Sequence, residues 1–207
     1  VTLLALVSVP GLPARGPADR GAARSHGGVL AGLRDHAVRR PAVVFASSTA
    51  AVGVLVTFLP LAVRGAHAWV AAVALLAQPA ASTAARWWAG RVGDRRGQTG
   101  LLLPGLLLAA AGMLGVALTS APAAVVGGAL VFGAGFGILQ NATLSLMYAR
   151  AEGSEDVVSA IWNAAYDLGM AAGALVAGLV VVHAGYAATF ALSALVMVPA
   201  MAAARRR

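Results

Sequence analysis

The sequence predicts an all-α membrane protein built around six transmembrane helices in three helical hairpins, and three observations predict it. Hydrophobic residues make up 60% of the 207 positions and charged residues 11%, a balance unlike that of a water-soluble domain. Residues 101–148 and 157–204 contain between them one carboxylate, Asp167, and no arginine, whereas a soluble fold of this size needs a charged exterior. The basic residues sit in short connections between apolar stretches, the pattern that fixes orientation in a bilayer.

The elements follow in order. Residues 1–9 are apolar but too few to cross about 30 Å at about 1.5 Å per residue, and Pro10, Gly11 and Pro13 end the run. Residues 1–13 therefore read as the remnant of a preceding transmembrane helix, in a cut chain or one with a valine-coded start. A signal peptide would carry its positive charge before the apolar run, not after it. Residues 14–41 form a basic linker rich in glycine, alanine and arginine. Val29, Leu30, Leu33 and Ala37 are at helical spacing there, so the linker ends either in an interfacial helix or as an unstructured tether. Pro41 suits the first turn of the next helix.

Residues 42–204 form the six-helix part. The first hairpin pairs 42–63 with 68–88 across a turn at 64–67. The second pairs 101–118 with 123–148 across 119–122, and the third pairs 157–182 with 186–204 across 183–185. Each arm reaches the length of about 17–25 residues that a span requires. Residues 205–207, all arginine, form a basic tail.

Threading these spans puts fourteen of the fifteen arginines on one side of the membrane and only Arg64 on the other; the chain has no lysine. The positive-inside rule then places the linker and the carboxyl terminus in the cytoplasm, with the spans in the cell membrane. The net charge of +8 thus serves the lipid bilayer as partner. It does not point to nucleic acid, which needs a basic soluble face with interleaved aromatics. The absence of cysteine excludes disulfides and thiolate metal sites, and the histidines, His26 and His36 in the linker and His67 and His183 in turns on the opposite side, give no expectation of a shared metal site. Within the spans, Pro60, Pro79, Pro104 and Pro199 are positions for kinks, and the many glycines let helices approach closely.

The connection after the second full span reads Gly90-Arg91-Val92-Gly93-Asp94-Arg95-Arg96-Gly97-Gln98-Thr99. Its glycines permit a tight turn, and Asp94 is able to accept backbone donors at a helix amino terminus or pair with Arg91 or Arg95. This loop resembles the signature of the major facilitator superfamily: glycine, any residue, an apolar residue, glycine or alanine, aspartate, a basic residue, any residue and glycine, followed by two basic residues. Gly90, Val92, Gly93, Asp94, Arg95 and Gly97 fit, whereas Gln98 and Thr99 depart from the closing basic pair. The position after the second span of a half, the preceding basic linker, and the run Asn163-Ala164-Ala165-Tyr166-Asp167-Leu168-Gly169 with Gly173 are similar to the same family, drug and sugar efflux members in particular.

The resemblance covers essentially the whole chain. It implies half of a major facilitator fold, the carboxyl-terminal half, with an amino-terminal six-helix half as partner. It also implies a secondary transporter that exports a small organic solute, needs no cofactor and draws on a proton gradient. Gly90, Gly93, Asp94, Arg95 and Gly97 would then form a cytoplasmic gating loop.

An ionisable residue inside a span costs about 2.5–3.5 kcal/mol to insert and by default marks function. Asp167 is the one such residue deep inside a predicted span, which makes it the proton-coupling candidate; the other reading is a structural aspartate bonded to a neighbouring helix. Asn163 lies one turn earlier, and Met170, Ala174 and Gly178 continue that face, while Gly169 and Gly173 form a separate seam of small residues. Tyr166, Gln140, Asn141, Gln78, Ser47 and Thr57 are further candidates for a substrate cavity. Each also has a plainer role as an interhelical hydrogen bond. An intramembrane enzyme would need converging acids, bases or nucleophiles, and one aspartate does not supply them. A half-sized subunit, inactive without a partner half, is the remaining alternative.

Overall fold

Backbone placed in hydrocarbon has to satisfy its own N–H and C=O groups, so long apolar stretches fold as helices. The structure, a computed structural model, describes residues 32, 34–64, 67–149 and 155–205. The helix remnant expected at 1–13, nearly all of the linker up to residue 33, and positions 206 and 207 of the tail lie outside the described residues. The regular structure described is helical throughout: α1 (His36–Ala62), α2 (Ala68–Arg96), α3 (Thr99–Val116), α4 (Pro122–Tyr148) and α5 (Glu155–Arg205). Each helix is long and apolar enough to cross a membrane.

Two boundaries and the number of helical elements differ most from the sequence expectation. Helix α1 starts at His36 because Asp35 caps it, its carboxylate accepting from the Ala37 N–H at 2.8 Å; Pro41 therefore lies inside the helix and not in its first turn. Helix α2 runs past Trp88 to Arg96, since the first residue whose backbone leaves the helical region is Gly97, at φ 86°. The third difference is larger: among the described residues there are five helical elements where six spans are expected, because α5 continues for 51 residues.

Helix α5 is interrupted once, at Gly185 (φ 76°, ψ 174°). Only glycine adopts this backbone without strain. Ala172 and Val196, which a straight helix would hold about 36 Å apart, line one groove together with Ala50. The chain therefore doubles back at Gly185, and α5 consists of a first arm, 155–184, and a second, 186–205.

Packing is carried by small residues. Helix α4 lies between α2 and α3, and α1 packs chiefly on α5. A side chain at Gly133 or Gly137 would strike the Gln78 or Ser82 carbonyl of α2, and one at Gly169 or Gly173 would strike Ala46 or Ala50 of α1. In lipid, where burying aliphatic surface gains little, such close approach is the main source of helix affinity. One aromatic cluster joins α1, α4 and α5. Phe45 stacks on Trp162 at 4.4 Å and on Phe136 at 6.0 Å, Phe136 on Phe132 at 6.0 Å, and Tyr166 leans against Phe45 at 6.1 Å. Such offset pairs add about 0.5–1.5 kcal/mol each beyond their burial.

Candidate functional site

The polar residues of the spans fall into separate groups. Between α2 and α4, the Ser82 hydroxyl donates to the Gln140 side-chain carbonyl at 3.1 Å; Gln78, one turn before Ser82, is buried in the same interface. Gln140 is thus held by a neighbouring helix. At the end of α2, the Asn141 amide donates to the Gln98 Oε1 at 3.3 Å. On α1, Ser47 returns its hydroxyl to the Val44 carbonyl at 2.7 Å, and Thr57 is exposed. Tyr166 belongs to the aromatic cluster.

Asn163 and Asp167 form the last group. Both are exposed on the first arm of α5, and Asn163 uses its amide only on its own helix, donating to the Ser159 carbonyl at 2.8 Å. Asp167 lies about 18 Å along the arm from its start, well inside a span-length segment. The arm's exposed arc has two flanks. One carries the exposed Asn163, Asp167 and Ala171 and is bordered by the half-buried Ala174 and Gly178, all small or polar. The other carries Leu168, Leu175, Leu179 and Val182, each about 70% exposed or more. The face expected to hold Met170 narrows at that point, because Met170 packs on the core and its carbonyl meets Gly53 of α1. Two grooves beside α1 and α5 are lined by other, mostly apolar residues.

The signature-like connection takes an unexpected shape. Gly90 and Gly93 lie within α2, and the turn is confined to Gly97 and Gln98. Asp94 consequently stands in the last turn of a helix, the end where the macrodipole disfavours an anion, and not at an amino terminus. It is exposed and forms no ion pair with Arg91 or Arg95 among the described residues. Arg91 instead lies over the Trp87 ring at 3.3 Å, and Arg95 and Arg96 complement the dipole. Glycine at position 93 leaves room for the Gln98 side chain, which fills the space a Cβ would take. Gln98, a departure from the signature, is the residue that ties the connection to α4 through Asn141.

Sequence reading missed Ser82, Thr143, Trp162 and Gln98 as polar partners. Ser82 follows Gln78 at i+4 and so shares its face, a signal present in the sequence. The bond from the Trp162 indole to the Thr143 hydroxyl, at 3.3 Å, joins two consecutive helices across a connection and so leaves no trace in the periodicity of either. No protein-family model matches the chain, and no curated protein is significantly similar to it.

Proposed function

We propose that this chain is the carboxyl-terminal six-helix half of a secondary transporter of the major facilitator type, exporting a small organic solute in exchange for protons. The observation that carries this reading is the small and polar flank of α5. Charged groups inside membrane segments face a bundle interior or a water-filled cavity, not lipid, yet Asp167 and Asn163 face outward here. That flank needs a protein or aqueous neighbour, which a second six-helix half around a midplane pathway provides. The signature-like connection and the one-sided arginines support the same reading. Asp167 is the proton-coupling residue, Asn163 its neighbour on the pathway wall, and Asp94 with the adjacent glycines belongs to the cytoplasmic gate.

Two measurements test it. Reporter fusions after Arg40 and Arg207 should both place these positions in the cytoplasm. Reconstituted with an amino-terminal half, the protein should drive solute flux that responds to a pH gradient, and Asp167→Asn should abolish the gradient-driven component while exchange without a gradient persists. A pH profile unchanged by Asp167→Asn, measured per folded protein, removes Asp167 from coupling. Flux absent with every amino-terminal half would overturn the transport reading.

A further inference from the structure

A second feature of the α1–α5 contact stands apart from the polar flank. Near the amino-terminal ends of both helices, beside the contact in which Val38 and Ala42 pack on Val158 and Ile161, an open furrow of about 230 Å³ is lined by Arg39, Ala42, Val43 and Ala46 of α1 and by Ile161, Ala164, Ala165 and Leu168 of α5. Apart from the Arg39 guanidinium at its mouth, every lining side chain is apolar. Val43 is 53% and Leu168 69% exposed, and Leu168 begins the aliphatic flank of α5, so the furrow opens toward hydrocarbon. Arg39 hydrogen-bonds to the His36 imidazole at 2.9 Å, which sets the guanidinium beside the helix start, and it makes no ion pair among the described residues. The carboxylates at this end, Asp35, Glu155 and Asp156, are exposed, and Asp35 is engaged in capping α1.

We infer that this furrow is a site for an anionic phospholipid, with one acyl chain lying between α1 and α5 and the headgroup phosphate on Arg39. An apolar furrow open to a bilayer does not stay empty, and lipid chains are the material at hand to fill it. A fixed guanidinium at the headgroup level adds the charge complement for phosphate, because its planar fork suits two phosphate oxygens. Basic groups between transmembrane helices select anionic lipids by the same means. The inference rests on the membrane placement of the helices and not on transport.

The full chain, purified and placed in nanodiscs of equimolar phosphatidylglycerol and phosphatidylcholine, tests the site when retained lipid is counted by native mass spectrometry. Phosphatidylglycerol should be enriched about five-fold, the gain expected of one arginine near the membrane surface. Arg39→Ala should bring the ratio close to one, and Arg39→Lys should keep part of the enrichment. Ala164→Trp, which fills the furrow and leaves the charge, should lower retention of both lipids. No enrichment in the unaltered chain, or enrichment that survives Arg39→Ala, overturns the proposal. So does an equal loss on Arg34→Ala, since that outcome means a diffuse basic collar with no site. None of these readouts involves flux, so failure of the transport reading leaves the result intact.

Discussion

Helices α4 and α5 are equally apolar, yet 56% of the most apolar stretch of α4 is buried inside the protein and only 11% of that of α5. Apolarity therefore decides which segments enter the membrane, and something else decides which of them pack. In α4 that something is glycine on more than one face: Gly133 and Gly137 admit α2, while Gly128 and Gly135 admit α3. Helix α5 carries the same device on one face only, at Gly169 and Gly173. Its remaining surface is Leu and Val on one flank and Asn163 with Asp167 on the other. A helix packed on all sides is scaffold; a helix packed on one side presents the others to lipid or to a partner.

The sharpest break of this contrast is Phe45→Ala. It removes the ring shared by α1, α4 and α5, with its three aromatic contacts. The expected loss is about 3 kcal/mol, from about 0.5–1.5 kcal/mol per aromatic pair, measured by unfolding in mixed micelles. Asp167→Leu comes next and acts in the opposite direction. Relieving a charge inside the span should favour insertion of the first arm by about 2.5 kcal/mol in a translocon assay; no gain would mean that Asp167 already has a partner within this chain.

Gly133→Val should cost about 2 kcal/mol by forcing α4 off α2, visible as a lower midpoint of thermal unfolding, and an unchanged midpoint would show that the contact is loose. Gln98→Ala should cost about 1 kcal/mol, the value of one hydrogen bond, and should raise amide hydrogen exchange around Gly97 while leaving α4 protected. Leu175→Ala, on the aliphatic flank, should change stability by less than about 0.5 kcal/mol. A larger loss there would mean that this flank is covered by protein and not by lipid.

Much of the fold was legible because membrane placement depends on local quantities. Length and apolarity marked each helix, and the small-residue seam at Gly169 and Gly173 proved to be the contact with α1. Boundaries were less legible. Charged residues at a membrane surface continue a helix readily, so α2 runs past its expected end at Trp88 and only Gly97 stops it. The candidate site was the least legible part. A polar residue in an apolar span stands out by type, but whether it meets another helix, as Gln140 meets Ser82, or faces outward, as Asp167 does, depends on helix rotation. Rotation is set by packing partners far away in the chain.

The single non-helical residue at Gly185 carries a consequence for how the chain tolerates change in length. The passage from α3 to α4 descends through overlapping turns, the Leu118 N–H bonding to the Gly115 carbonyl and the Ala121 N–H to the Leu118 carbonyl, and such a passage absorbs an extra residue. At Gly185 there is no slack. One inserted residue would rotate the second arm by about 100°, turning Phe190 and Met197 out of the core and carrying Leu195 or Val196 toward it. Deletions and insertions should thus accumulate between α3 and α4, while the last hairpin keeps a fixed count of residues on either side of its glycine.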